Sequence, residues 1–260
     1  ASRTCSSVGL SVSFRNAAAV ISMPGVQKPH WRAWLSWKAV WSGVSTPLSA
    51  RPSTVLISAP SAWAAQEFRR AGVDNSEVVS WGVDLDRFHP DRRSAVLRRR
   101  LLGDADVLMV MVCRLSPEKR PDSAITTLQA LRARGVNARL VVAGTGKSDR
   151  RLRRSAEGLP VTFLGHLQGR DHVAELLAAA DVAICPGPIE TFGLAALEAM
   201  ASGTPVVSSR FGAIAELLRP PFGMPAYNHG PAMATAAMEL LENGEGARAA
   251  ARAEAERYPW

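Results

Sequence analysis

Cysteine is scarce in this sequence. Its three residues, Cys5, Cys113 and Cys185, are scattered and odd in number. That pattern holds no disulfide framework and no metal-ligand spacing, so a reducing compartment and no bound metal are the expectation. Long apolar runs are missing too, and nothing reads as a bilayer span. Around the short apolar stretch Ala17 to Ile21 there is no basic segment or tidy cleavage site of a secretory leader. No Walker lysine motif, Cys-x-x-Cys pair or Gly-x-Ser-x-Gly elbow occurs.

What is present is ordinary globular composition: 260 residues, 47% hydrophobic and 21% charged, with a net charge of +8. A basic balance favours anionic partners without choosing among nucleic acid, an acidic membrane face and a phosphorylated substrate. Because the chain starts at Ala1 and stops at Trp260 directly after a helical pattern, it reads as a piece of a longer protein.

Residues 1–53 show no clean strand pattern. Trp31, Trp34, Trp37 and Trp41 fall on one helical stripe, flanked by Arg32 and Lys38. A helix packed on a neighbouring domain, an interfacial helix and a region without native-like structure all remain open there.

From residue 54 the text becomes regular. Thr54 to Ser58 and Glu77 to Ser80 read as strands, and Ala62 to Ala71 and Arg92 to Leu102 as helices. Strands then follow at Val107–Cys113, Ala138–Ala143, Val161–Leu164, Val182–Cys185 and Pro205–Ser208. Helices are expected at Asp122–Arg134, Lys147–Glu157, His172–Ala180, Phe192–Ala201, Gly212–Leu218, Pro231–Glu242 and Ala247–Glu256. Such alternation with short links predicts an α/β fold, a Rossmann-like doubly wound parallel sheet. Ligands of such sheets sit at the carboxyl ends of the strands. The segments just after each strand are therefore the candidate site.

The strongest of these is Glu190-Thr-Phe-Gly-Leu-Ala-Ala-Leu-Glu198, continuing to Gly203-Thr-Pro205. Thr191 is expected to cap the helix and Gly203 to end it. Free amides beside Gly193 would make an anion site. Glu198 is the anomaly, a carboxylate sharing a helix face with Leu194, Leu197 and Ala201. It needs a hydrogen-bonding partner there, either a ligand hydroxyl pair or an ion pair. The second carboxylate, Glu190, favours the ligand.

In Cys113-Arg114-Leu-Ser-Pro-Glu-Lys119-Arg120, Arg114 and Lys119 follow a buried strand and suit a diphosphate leaving group. Gly144-Thr-Gly146 reads as a tight chain reversal. Gly165, His166 and Leu167 end the next strand, where backbone could face a nucleobase. Asp84-Leu-Asp86 resembles a metal-binding Asp-x-Asp, but its place before Phe88-His-Pro90 makes it turn chemistry. The basic clusters Arg92–Arg93, Arg98–Arg100 and Arg150–Arg154 read as solvated faces first, membrane contacts second and nucleic-acid contacts third. The tryptophans do not interleave with them, as a single-strand groove would require.

These pieces, in this order, resemble the retaining glycosyltransferases of the GT-B fold, family 4. The matching segments are Gly82-Val-Asp84 with Phe88-His-Pro90, Arg114 to Lys119, Ala143 to Gly146, Phe163 to Gly165, and Glu190 with Glu198. The wording from Pro186 to Glu198 is similar to actinobacterial phosphatidylinositol-mannoside mannosyltransferases of the PimC type. The resemblance implies a hexosyltransferase using a nucleotide-diphosphate sugar, GDP-mannose above all, with a lipid or glycan acceptor and no metal or other cofactor. Arg114 and Lys119 would bind the donor diphosphate. Glu190, with Thr191 and the Phe192–Leu194 backbone, would meet sugar and phosphate. Glu198 would hold the ribose, and Gly165, His166 and Leu167 would line the base.

A cytoplasmic protein is implied, peripheral at the inner face of the plasma membrane and binding no nucleic acid. On this reading 1–82 is a partial acceptor-side domain, 83–243 the nucleotide-sugar domain, and 244–260 a helix crossing back. The family's glycine-rich loop and acceptor-side histidine are not found in 1–53. An inactive donor-binding fragment is therefore one alternative, and a basic binder of anionic membrane or nucleic acid another. Cys113 and Arg120 stand where the family has glycines.

Overall fold

The computed structural model describes residues 57–260. The tryptophan stripe from Trp31 to Trp41 and the start of the strand expected at Thr54 lie outside the described residues.

Strands β1 (Ile57–Ala59) and β2 (Ser76–Val78) pair in parallel around the connecting helix α1 (Ala62–Arg70). The main sheet has six parallel strands: β3 (Val107–Val112), β4 (Ala138–Ala143), β5 (Val161–Gly165), β6 (Val182–Cys185), β7 (Val206–Ser209) and β8 (Gly223–Ala226). Their spatial order is β5-β4-β3-β6-β7-β8. The chain moves outward from β3 in one direction, then returns and moves outward from β6 in the other. The point of reversal, between β3 and β6, opens a crevice at the carboxyl ends of those two strands.

β3 is apolar throughout because both of its faces are covered. Met109 and Met111 join one core with α3 (Pro121–Ala133), α4 (Asp149–Ser155) and α8 (Gly230–Glu242). Leu108 and Val110 join the other with α2 (Ala95–Leu102), α5 (Arg170–Ala179), α6 (Leu194–Ala201) and α9 (Gly244–Ala255). Each large side chain so buried contributes about 1.5–3 kcal/mol. This two-sided sheet is the doubly wound architecture expected from the alternation.

The differences are local. The helix expected at Arg92–Leu102 is broken: Pro90–Arg92 forms a 3-10 turn, and Ser94 restarts the chain as N-cap of α2, accepting from the Leu97 amide at 3.2 Å. β8 is absent from the sequence expectation, since Gly223 and Pro225 argue against a strand; at a sheet edge both are tolerated. Arg93 and Arg98 are not solvated. They donate to the carbonyls of Ala178, Ala180 and Ala179, at the end of α5, and pair with Asp181. Arg248 of α9 reaches two of the same carbonyls, and burial followed by the charge of Arg93 lowers its guanidinium to about 10. These arginines hold the end of a helix whose last carbonyls lack intrahelical partners.

α9 packs on α6, and Arg252 donates to the carbonyls of Leu85, Phe88 and Ala201. Beyond it, the Val83 amide donates to the Tyr258 carbonyl at 2.8 Å and the Trp260 amide to that of Val83 at 3.3 Å. The chain end is thereby tied to the segment that enters the main sheet.

Candidate functional site

Four loops meet at the carboxyl ends of β3, β4, β5 and β6. The first follows β3 and carries Arg114 and Lys119. Its path is set by the Gly144 and Gly146 loop after β4. A Cβ on Gly144 would lie 1.9 Å from the Cys113 carbonyl oxygen, and one on Gly146 would lie 2.3 Å from that of Leu115. The two glycines allow close backbone approach between loops, and Gly144 takes a positive φ of 127° there. Leu115 and Ser148 amides donate to Thr145 and Leu115 carbonyls at 3.0 and 2.8 Å and lock the two loops together.

Lys119 ends a 3-10 turn, Pro117–Lys119, and Arg120 follows at φ 47°. Arg120 is the one non-glycine residue with positive φ among the described residues. A glycine would sit there without strain, whereas for arginine the conformation costs on the order of 1 kcal/mol.

Across the point of reversal stands Glu190, after β6. Lys119 Nζ donates to Glu190 Oε1 at 2.6 Å, and both side chains are largely buried. Two residues singled out separately in the sequence thus form one ion pair that bridges the crevice. Glu190 is held by the Ala213 amide, which donates to its carbonyl at 2.9 Å. Arg114 is exposed and lines a cleft with Cys113, Gly144, Thr145, His166, Leu167 and Val173. No described residue pairs with its guanidinium. Gly165 stands at the end of β5, opposite Ala143 at a register shift between the strands. Its carbonyl accepts from the Gly144 amide at 2.7 Å.

Helix α6 begins later than expected. Thr191 does not cap it: Gly193 is the N-cap, in left-handed backbone at φ 101°, with no side-chain cap. Ile214 packs where its Cβ would be, at 3.0 Å, so the turn admits only glycine. Thr191 is exposed, and its carbonyl accepts from the Ser61 hydroxyl at 2.8 Å. Phe192 is buried between Trp81 and Tyr258, with ring centroids at 5.9 and 6.3 Å, so only its backbone can reach a ligand. The amides of Phe192, Gly193 and Leu194 find no acceptor among the described residues. They lie at the positive end of the helix dipole, beside Glu190.

Glu198 lies one turn further along α6. Its partner is Arg170, a residue that no sequence pattern singles out. Arg170 Nη2 donates to Glu198 Oε1 at 2.5 Å, and its guanidinium lies 5.2 Å from the Phe88 ring centroid. Burial pushes the Glu198 carboxyl above the usual carboxylate range, and the charge and hydrogen bond of Arg170 oppose that rise. The ion pair is thus one of the two partners foreseen for this carboxylate.

The cysteines under the site are inert. Burial raises the Cys113 thiol to about 12 and the Cys185 thiol further still, so neither supplies a thiolate near neutral pH. Asp84 caps its own turn, accepting from the Arg87 amide and pairing with the Arg87 guanidinium at 2.8 Å. Among the described residues no group of three or more His, Cys, Asp or Glu side chains is placed to hold a metal ion. None of the described helices is long and apolar enough to cross a membrane.

A parallel sheet of this order, with cations, free amides and a carboxylate at its point of reversal, has the architecture of the doubly wound α/β class, whose ligands sit at that point. Residues 96–258 match the family described as Glycosyl transferases group 1, and the chain belongs to that family. It is 46% identical over 199 residues to a GDP-mannose-dependent alpha-(1-6)-phosphatidylinositol dimannoside mannosyltransferase of Mycobacterium tuberculosis, a match covering 76% of this chain and 52% of the relative. It is 40% identical over 155 residues to a D-inositol 3-phosphate glycosyltransferase of Geodermatophilus obscurus, covering 55% of this chain and 34% of that one. The chain thus spans about half the length, or less, of these curated relatives.

Among solved structures, the HepE protein of Anabaena in complex with UDP superimposes with a TM-score of 0.67 at 23% identity, covering 78% of this chain and 59% of that one. Sucrose-phosphate synthase of Thermosynechococcus elongatus gives 0.67 at 24%, covering 84% and 60%. These likenesses establish the GT-B architecture, of which this chain covers part.

Proposed function

We propose that this chain is the donor-binding part of a retaining hexosyltransferase that takes mannose from GDP-mannose and delivers it to a lipid or glycan acceptor. The observation that carries the reading is the Lys119–Glu190 ion pair at 2.6 Å across the point of reversal of the sheet. Lys119 and the unpaired Arg114 sit where a diphosphate would lie, and their charge would offset the negative charge that grows on the leaving nucleotide. The free amides of Phe192 to Leu194 would add to that field, and Glu190 and Thr191 would meet the sugar. Glu198 would accept from the ribose hydroxyls, and Gly165, His166 and Leu167 would line the base. The site needs no metal on this reading, because two cations and a helix terminus supply the positive charge.

The relative named as GDP-mannose-dependent supports guanine and mannose as the donor, and its phosphatidylinositol dimannoside acceptor supports a glycolipid. An acceptor of that kind would bring the protein to the cytoplasmic face of a membrane, where a net charge of +8 favours anionic lipid. The alternative reading, in which the chain binds donor without transfer, puts binding ahead of turnover as the test.

The test is calorimetric titration of the chain with GDP, UDP, ADP and GDP-mannose. Saturable binding of GDP and GDP-mannose, with UDP and ADP at least about tenfold weaker, is expected. Preference for UDP would overturn the donor assignment, and no nucleotide binding at all would overturn the site.

A further inference from the structure

The proposed donor site leaves one charged residue at its rim without a role. Arg170 is the first residue of α5, placed there by Gly169, which turns the chain with φ 88°. One helical turn later on the same face stands Val173, which lines the cleft together with Leu167. Arg170 is therefore held at the cleft edge by short connections on both sides. Among the described residues its guanidinium meets the Phe88 ring at 5.2 Å and Glu198 Oε1 at 2.5 Å.

The two partners of the ion pair are unequally buried. The Glu198 side chain is 15% exposed and that of Arg170 57%. An ion pair between two exposed groups contributes little. Here the carboxylate has lost most of its water, and a buried carboxylate without a cation tends toward its neutral form. The arginine remains largely solvated, so its cost is small. The hydrogen bond uses Oε1 alone, and no described residue donates to Oε2.

We propose that Arg170 is a positioning residue for the donor ribose, clamped between Phe88 and Glu198 so that Glu198 stays ionised with Oε2 left to accept from a ribose hydroxyl. The inference rests on the donor-site reading above and adds to it a residue that acts through Glu198 rather than on the reacting atoms.

Other charged groups on the elements around Glu198, Glu175 of α5 apart, are engaged elsewhere. Asp171 of α5 pairs with Arg87, and His172 bonds the Gln168 carbonyl. On α9, Arg252 and Arg248 hold backbone carbonyls, and Glu254 pairs with Arg257. Cys185 of β6 lies within reach of the Glu198 charge, and burial keeps it a thiol. Arg170 is the cation that sets the charge of Glu198.

Without Arg170 the carboxyl, already raised by burial, rises further. It then takes up a proton at a higher pH, and the acceptor for the ribose weakens there. The experiment is titration of wild type, Arg170→Gln and Arg170→Lys with GDP between about pH 8 and about pH 5.5, with thermal melts in parallel. For each variant the affinity ratio to wild type is read, so that titration of GDP itself cancels. Arg170→Gln is expected to bind within about twofold of wild type at the alkaline end and about 3- to 10-fold weaker at the acid end, the loss expected once the carboxyl is neutral. Arg170→Lys should restore most of the loss. A ratio that stays flat with pH, or tighter binding by Arg170→Gln, would overturn the proposal while leaving the donor site standing. Unchanged GDP affinity in Glu198→Ala would instead remove the donor site, and this proposal with it.

Discussion

The two ion pairs of the site, Lys119–Glu190 and Arg170–Glu198, have the same chemistry and different origins. Each joins a cation on another segment to a carboxylate of the same nine-residue stretch, at 2.6 and 2.5 Å. The first spans the reversal of the sheet, so the order of the strands dictates it: the loops after β3 and β6 must meet there. The second joins the start of α5 to the middle of α6 on one side of the sheet and depends on how the two helices lean together over Phe88. Topology fixes one pair and packing fixes the other. The first should therefore tolerate little change in its loops, and the second should be adjustable.

The largest effect should come from attacking the frame of the first pair. Gly144→Ala places a Cβ 1.9 Å from the Cys113 carbonyl oxygen, at a backbone φ of 127°. It should cost about 3 kcal/mol or more of stability, read as a fall in the urea midpoint. Lys119→Ala comes next. It should weaken GDP by about 10- to 100-fold, the worth of a charge-assisted hydrogen bond, and leave guanosine binding nearly unchanged. Equal losses for GDP and guanosine would break the assignment of Lys119 to the diphosphate. Glu198→Gln keeps shape and removes charge, so a smaller loss of about 3- to 10-fold is expected, with little dependence on pH. The smallest effect is at Arg120, where φ is 47°. Gly usually costs about 0.5–1 kcal/mol relative to a side chain. Arg120→Gly should instead be neutral or raise stability by up to about 1 kcal/mol, seen as an unchanged or higher melting temperature.

The sequence is most legible where backbone topology alone decides the structure. The uninterrupted apolar run of β3 announces a strand covered on both sides, and the alternation announces the doubly wound sheet. Glu198 stands out because charge is rare in an apolar helix, and Glu190 because it is a second carboxylate at that helix's entrance. Legibility is lowest where distant side chains decide. Thr191 is a good capping residue, but Ile214 and the left-handed turn at Gly193 move the helix start past it. Arg170 lies 28 residues from Glu198 in a segment that reads as a link, and no local pattern marks it. The arginines at 93 and 98 read as a solvated face, because the carbonyls at the end of α5 that they serve become neighbours only in the fold. Gly223 and Pro225 hide β8, since a strand containing them is stable only at an edge.

Both ion pairs are taken to serve one donor site, and titration of Glu198→Ala with GDP and with guanosine tests that most directly. Removing a carboxylate that holds the ribose should weaken both ligands by about 10- to 100-fold, in contrast to the GDP-selective loss in Lys119→Ala. Wild-type affinity for both ligands in Glu198→Ala would contradict the assignment.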